Sequence, residues 1–155
     1  METDIHQTCK CIGRDFTFTE WCAYTKEHQN CGSEPVFEEF GFKWNIHDIC
    51  LNPHRINILP RHNKDGYARL EISTANTRNG WRIGISYSGI EQDESSGGGC
   101  GVAYDRPNDE AFPTENDAII GALRRIRKKK NLRKEYASLI DLEIAMRQHP
   151  QLTLF

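Results

Sequence analysis

The sequence predicts an α+β fold: an antiparallel sheet of three to five strands with a long basic C-terminal helix, or two helices. Two patterns carry this expectation. Trp81, Ile83, Ile85 and Tyr87 alternate with Arg82, Gly84 and Ser86, the period of two of a strand with one buried face. From Thr114 onward the apolar residues recur instead at intervals of three and four, the period of an amphipathic helix. Strands that come first and helices that follow favour α+β over alternating βαβ units.

The elements follow in order. Within residues 1–35, Phe16 and Phe18 alternate with polar neighbours, and Thr19 is placed to cap a short helix over Glu20–His28. Phe40, Phe42, Trp44 and Ile46 alternate with Gly41, Lys43 and Asn45, which predicts a strand that Asn52-Pro53 ends. A second strand is expected over Arg55–Leu59, stopped by Pro60. Tyr67–Thr74 and Trp81–Ser88 form the clearest hairpin, with Asn79-Gly80 as its turn signal. Glu91–Gly101 is rich in Ser and Gly and predicts a flexible loop, with Cys100–Tyr104 as a short final strand. Thr114 is a good N-cap with Asp117 three residues on. Ala118, Ile119, Ala122, Leu123 and Ile126 then make an apolar stripe suited to packing across the sheet. The stripe lapses from Arg127 to Asn131 and resumes with Tyr136, Leu139, Ile140 and Ile144. One projecting helix or two helices meeting near Asn131 both satisfy this pattern.

The 155 residues carry a net charge of −2, so the whole is no simple polycation. Its distribution is uneven. Residues 1–110 hold 11 Lys/Arg against 17 Asp/Glu, and residues 111–155 hold 9 against 5. Arg124, Arg125, Arg127, Lys128, Lys129, Lys130, Arg133 and Lys134 crowd into one stretch. Spread around a helix, they make it too charged for a core and suit it to phosphate contact, which is salt-dependent and blind to sequence. No base-reading motif accompanies them. The polar N-terminus lacks an apolar leader, and no run is long enough to span a membrane. A cytoplasmic setting is expected, and with it reduced thiols or metal ligands in place of disulfides.

Cys9-x-Cys11 and His28-x-x-Cys31 loosely resemble the paired ligands of a ββα zinc finger. The resemblance implies a structural zinc held by Cys9, Cys11, His28 and Cys31, since two close pairs can complete a tetrahedron. The first pair is one residue tighter than usual and the spacing between pairs is long. Cys22 and His6 are alternative ligands. No other cofactor is expected. His47, Asp48, Cys50, His54 and His62 permit an enzyme reading, with Asp48, Glu91, Asp93 and Asp105 as carboxylates for magnesium. No spacing singles out an active site among them. The Gly97–Gly101 run has no Lys-Ser/Thr after it and is no phosphate-binding loop.

The sequence closes on Gln151-Leu152-Thr153-Leu154-Phe155. Three of these five side chains are large and apolar, where a terminus is ordinarily polar and solvated. Pro150 ends the preceding helix and favours extended chain. The peptide resembles the short motif by which bacterial replication and repair proteins bind the sliding clamp. The resemblance implies that Gln151 bonds at a pocket rim, Leu152 flanks it, and Leu154 and Phe155 fill an apolar cleft. It also implies a bacterial host cell and a phage or mobile-element origin.

The organisation expected is therefore a Cys/His segment at 1–35, an α+β core at 36–126, a basic helical extension at 127–149 and a clamp-binding-like tail at 150–155. The expected function is a non-catalytic accessory of DNA replication that binds the clamp and contacts DNA. Two rivals stand beside it. One is a clamp-tethered, metal-dependent DNA-processing enzyme. The other is an interaction module that meets a host defence or regulatory protein through acidic residues such as Glu34, Glu38 and Glu39.

Overall fold

The register of one hairpin organises the centre of the molecule. In the computed structural model, which describes residues 32–59, 68–105 and 109–149, β4 (Arg69–Thr77) pairs antiparallel with β5 (Gly80–Ser88), and Ile72 stands opposite Ile85. Thr74 stands opposite Ile83 on the same face. Gly80 follows the turn at φ 116°, a backbone state glycine tolerates, and a Cβ there would lie 2.9 Å from the Phe112 carbonyl oxygen. β3 (His54–Asn57) adds to the free edge of β4, and β6 (Gly97–Cys100) adds to β5, giving a four-stranded antiparallel sheet in the order β3-β4-β5-β6.

The helices cover one face of this sheet. α1 (Glu115–Arg127) starts where the Asp117 N–H donates to Thr114 Oγ1 at 3.1 Å, the cap the sequence predicts. Its stripe Ala118, Ile119, Ala122, Leu123 and Ile126 is buried against Leu70, Ile72, Ile83 and Ile85. α2 (Lys134–Gln148) adds Tyr136, Ala137 and Ile140 to the same core. Two helices thus meet near Asn131, the second of the two arrangements the pattern allowed, and no long basic helix forms: Arg124, Arg125 and Arg127 end α1, Lys134 opens α2, and Lys128, Lys129, Lys130 and Arg133 lie in the non-helical connection between them, so the helical extension expected from 127 begins only at Lys134.

A smaller core lies at the hairpin end of the sheet. β1 (Phe37–Glu39) and β2 (Phe42–Trp44) form a two-stranded ribbon. Phe42, Trp44, Cys50, Ala75 and Val102 bury one another there. The single strand expected through Phe40 is instead a tight hairpin, because Phe40 and Gly41 both take positive φ, 52° and 82°. Only Phe42 and Trp44 of the four alternating bulky residues are buried.

The Ser/Gly-rich stretch also departs from expectation. Gly97–Cys100 is a paired strand, with Gly98 opposite Tyr87 and Gly99 opposite Ser86. Glycine is what lets it close on the sheet: a Cβ at Gly97 would sit 2.9 Å from the Tyr87 carbonyl oxygen, and one at Gly98 3.1 Å from the Tyr87 hydroxyl.

Candidate functional site

The basic residues gather at the corner where α1 meets α2. The apolar stripe of α1 ends at Ile126, so the chain beyond has no face to bury and turns outward. The main chain fixes this turn to the connection between β5 and β6. Gln92 N–H donates to the Asn131 carbonyl (2.8 Å), and Arg133 N–H donates to the Ile90 carbonyl (3.0 Å). Leu132 is buried beneath it.

Three of the eight cations are engaged internally. Arg127 Nε lies 2.9 Å from Asp141 Oδ1. Lys129 lies 3.6 Å from Glu91 and 4.5 Å from the centre of the Tyr87 ring. The Tyr87 hydroxyl, and then the Glu91 carboxylate, hold this ammonium above the ordinary lysine value, with burial acting against them. Arg133 pairs with Glu94 and Glu135. Arg124, Arg125, Lys128, Lys130 and Lys134 have no ion-pair partner among the described residues, and all five are exposed. Arg124 and Arg125 suit the negative end of the α1 dipole. Lys134 opens α2, where the same dipole disfavours a cation by a few tenths of a kcal/mol. Helix stability therefore does not account for Lys134. Arg125 and Lys129 also rim a groove of about 400 Å³ floored by Ile85, Tyr87, Gly98 and Gly99.

A second feature lies at the other end of α1. Phe40, Gly41, Phe42, Asn52, His54, Asn76 and Trp81 line a cleft of about 450 Å³. His54 Nδ1 is 2.9 Å from Glu115 Oε1, which also accepts the Thr74 hydroxyl at 3.0 Å. The carboxylate favours a proton on Nδ1, which leaves Nε2 as the ring nitrogen not engaged by Glu115. The imidazole packs on Phe42 at 5.0 Å and Trp81 at 6.1 Å between ring centres.

Among the described enzyme candidates, only His54 lines this cleft. Asp48 is exposed in a turn at φ 59°, folded around Asn45, whose Oδ1 accepts the N–H groups of His47 and Ile49. Cys50 is buried, and burial pushes its thiol above the ordinary cysteine value, the opposite of what a nucleophile needs. The carboxylates considered for magnesium are engaged separately: Glu91 with Lys129, Asp93 with Ser95, Asp105 with Arg82. No group of three or more His, Cys, Asp or Glu placed to hold a metal occurs among the described residues. His62 lies outside them, as do the zinc candidates Cys9, Cys11, His28 and Cys31 and the clamp peptide residues Gln151, Leu152, Leu154 and Phe155.

Glu115 and Asn76 escaped sequence reasoning, and Phe40 was legible there only as part of an alternating strand face. Glu115 is 61 residues from His54, and nothing in its helix-start context marks it as an imidazole partner. No helix among the described residues is long and apolar enough to cross a membrane. No protein-family model, curated protein or solved structure matches the chain.

Proposed function

We propose that this protein is a small accessory factor of bacterial DNA replication, of phage or mobile-element type, that docks on the sliding clamp through Gln151, Leu152, Leu154 and Phe155. The observation that carries the reading is the pentapeptide Gln151–Phe155 itself. In this reading the basic corner lies against nucleic acid beside the clamp, and Arg124, Arg125, Lys128, Lys130 and Lys134 contact phosphates. Arg127, Lys129 and Arg133 belong to the same patch but are already balanced by nearby carboxylates.

The placement of α2 supports the combination. Its N-terminal end carries the basic corner, and the peptide follows its C-terminal end after Pro150. α2 is fifteen residues long, about 22 Å at about 1.5 Å per residue. Two weak contacts joined this closely raise each other's effective concentration without new specificity. Competition with polymerase or repair peptides for one clamp cleft is the mechanism this implies.

Calorimetric titration of a bacterial sliding clamp tests the proposal. The intact protein is expected to bind saturably. Replacing Leu154 and Phe155 together by Ala is expected to weaken binding at least about 100-fold, since anchors of this kind each contribute about 2 kcal/mol or more. An intact protein that gives no saturable heat with the clamp overturns the reading.

A further inference from the structure

Phe40 is placed where stability alone does not put a phenylalanine. It occupies the first left-handed position of the β1–β2 turn, at φ 52°, a position suited to Asn or Asp before glycine. For an aromatic residue this backbone state costs about 1 kcal/mol or more. The strain gains little burial, because Phe40 is 62% exposed. Phe40 instead forms one wall of the cleft whose other aromatic walls are Phe42 and Trp81, 5.9 Å apart and edge to face.

The polar groups of the cleft are unevenly used. Asn52 is occupied: its Oδ1 accepts the Lys43 N–H and its Nδ2 donates to the Gly41 carbonyl. These bonds hold the turn that carries Phe40. The Asn76 side-chain amide has no hydrogen-bond partner among the described residues, and neither has His54 Nε2. A half-buried amide without partners among the described residues, beside aromatic rings and with an imidazole nitrogen in the same wall, matches a flat ring that is apolar on its faces and hydrogen-bonding at its edge. An amide presents a donor and an acceptor side by side, the complement of a base edge.

We propose that this cleft binds a nucleobase, stacked against Phe40 and Trp81 and read at its edge by Asn76 and His54. The site is independent of clamp docking. It also stands apart from the basic corner, at the opposite end of the thirteen-residue α1, about 20 Å away. The base comes either as a free nucleoside or from a single strand, and the test separates these sources.

Adenosine, guanosine, cytidine and thymidine, which carry no phosphate for the basic corner, are titrated into the full chain by calorimetry beside twelve-nucleotide single-stranded DNA homopolymers. At least one nucleoside or homopolymer is expected to bind saturably. Phe40→Ala and Asn76→Ala are each expected to weaken that binding about tenfold, in line with the loss of one base stack. Phe40→Asn supplies the control for folding: it suits the turn, so its Tm should hold or rise while binding falls. Binding of a nucleoside assigns the cleft to a free base. Binding of homopolymers alone, with the same sensitivity at Phe40 and Asn76, assigns it to a strand. The proposal is overturned if nothing saturates, or if binding ignores Phe40 and Asn76 and is lost only with Lys128→Ala and Lys130→Ala. Capture of a proline-rich peptide with no response to any base overturns it equally.

Discussion

Tyr104 shows how a single hydrogen bond ties the small core to the ribbon. Its hydroxyl donates to Glu39 Oε2, whose other oxygen accepts the Arg78 N–H at 2.9 Å. The bond to Glu39, then burial, raises the phenol above the ordinary tyrosine value. A raised folded value means that the stabilisation is complete below about pH 10, the unfolded value, and is lost as pH climbs through the folded one. The stability difference between the natural protein and Tyr104→Phe should therefore shrink as pH rises above about 10, measured by urea denaturation; a constant difference would show that the bond is not what Tyr104 contributes. The two described cysteines should likewise separate by reactivity. Cys50 is buried with a raised thiol, and Cys100 is exposed on β6. Brief alkylation of native protein followed by peptide mass analysis should label Cys100 well before Cys50. Equal labelling would place Cys50 in an open, fluctuating core.

Elements differ in how much of them the sequence exposes. The β4–β5 hairpin was legible because alternation on both arms and Asn79-Gly80 between them agree on one register. The α1 cap was legible because Thr114 and Asp117 are a local pair. The β1–β2 hairpin was hidden, since Phe40 carries no turn signal and continues the alternation through the point where the chain reverses. β6 was hidden because its three glycines suit a loop, and only Tyr87 and Ser88, distant in sequence, reveal that they are small to permit close pairing. The cleft was illegible for the same reason: His54, Asn76 and Glu115 come from three separate elements. One prediction belongs to α1 as a packed unit. Gly121→Ala should gain about 1 kcal/mol in helix propensity. Its Cβ, however, would fall 2.4 Å from the ring of Phe112, which is itself buried. Overpacking of this kind costs about 1–3 kcal/mol, so the variant should melt several degrees lower. A higher Tm would mean that the Phe112 ring can swing aside.

Across the whole molecule, charge is the property with a direct ionic readout. If Arg124, Arg125, Lys128, Lys130 and Lys134, the five exposed cations of the corner without an ion pair among the described residues, all meet phosphates of duplex DNA, the logarithm of affinity should fall against the logarithm of salt with a slope of about −4 to −5, near 0.9 per contact. Lys128→Ala with Lys130→Ala should reduce that slope by about 2. An unchanged slope would remove the corner from the nucleic-acid surface. α2 presents a further exposed feature in Leu139, Leu142 and Met146, an apolar line one and two turns apart along its outer side. The covering of the sheet by α1 and α2 has a consequence in time. Leu70, Ile72, Ile83 and Ile85 are synthesised first, yet the residues that shield them run on to Ile140. At about 5–20 residues per second of translation, the apolar face waits about 3–11 s after Ile85 is made before its last cover exists. A nascent chain stalled short of α2 would thus carry a finished hairpin with a bare greasy side, and the protein's yield in the cell would be set by what shelters that side in the interval.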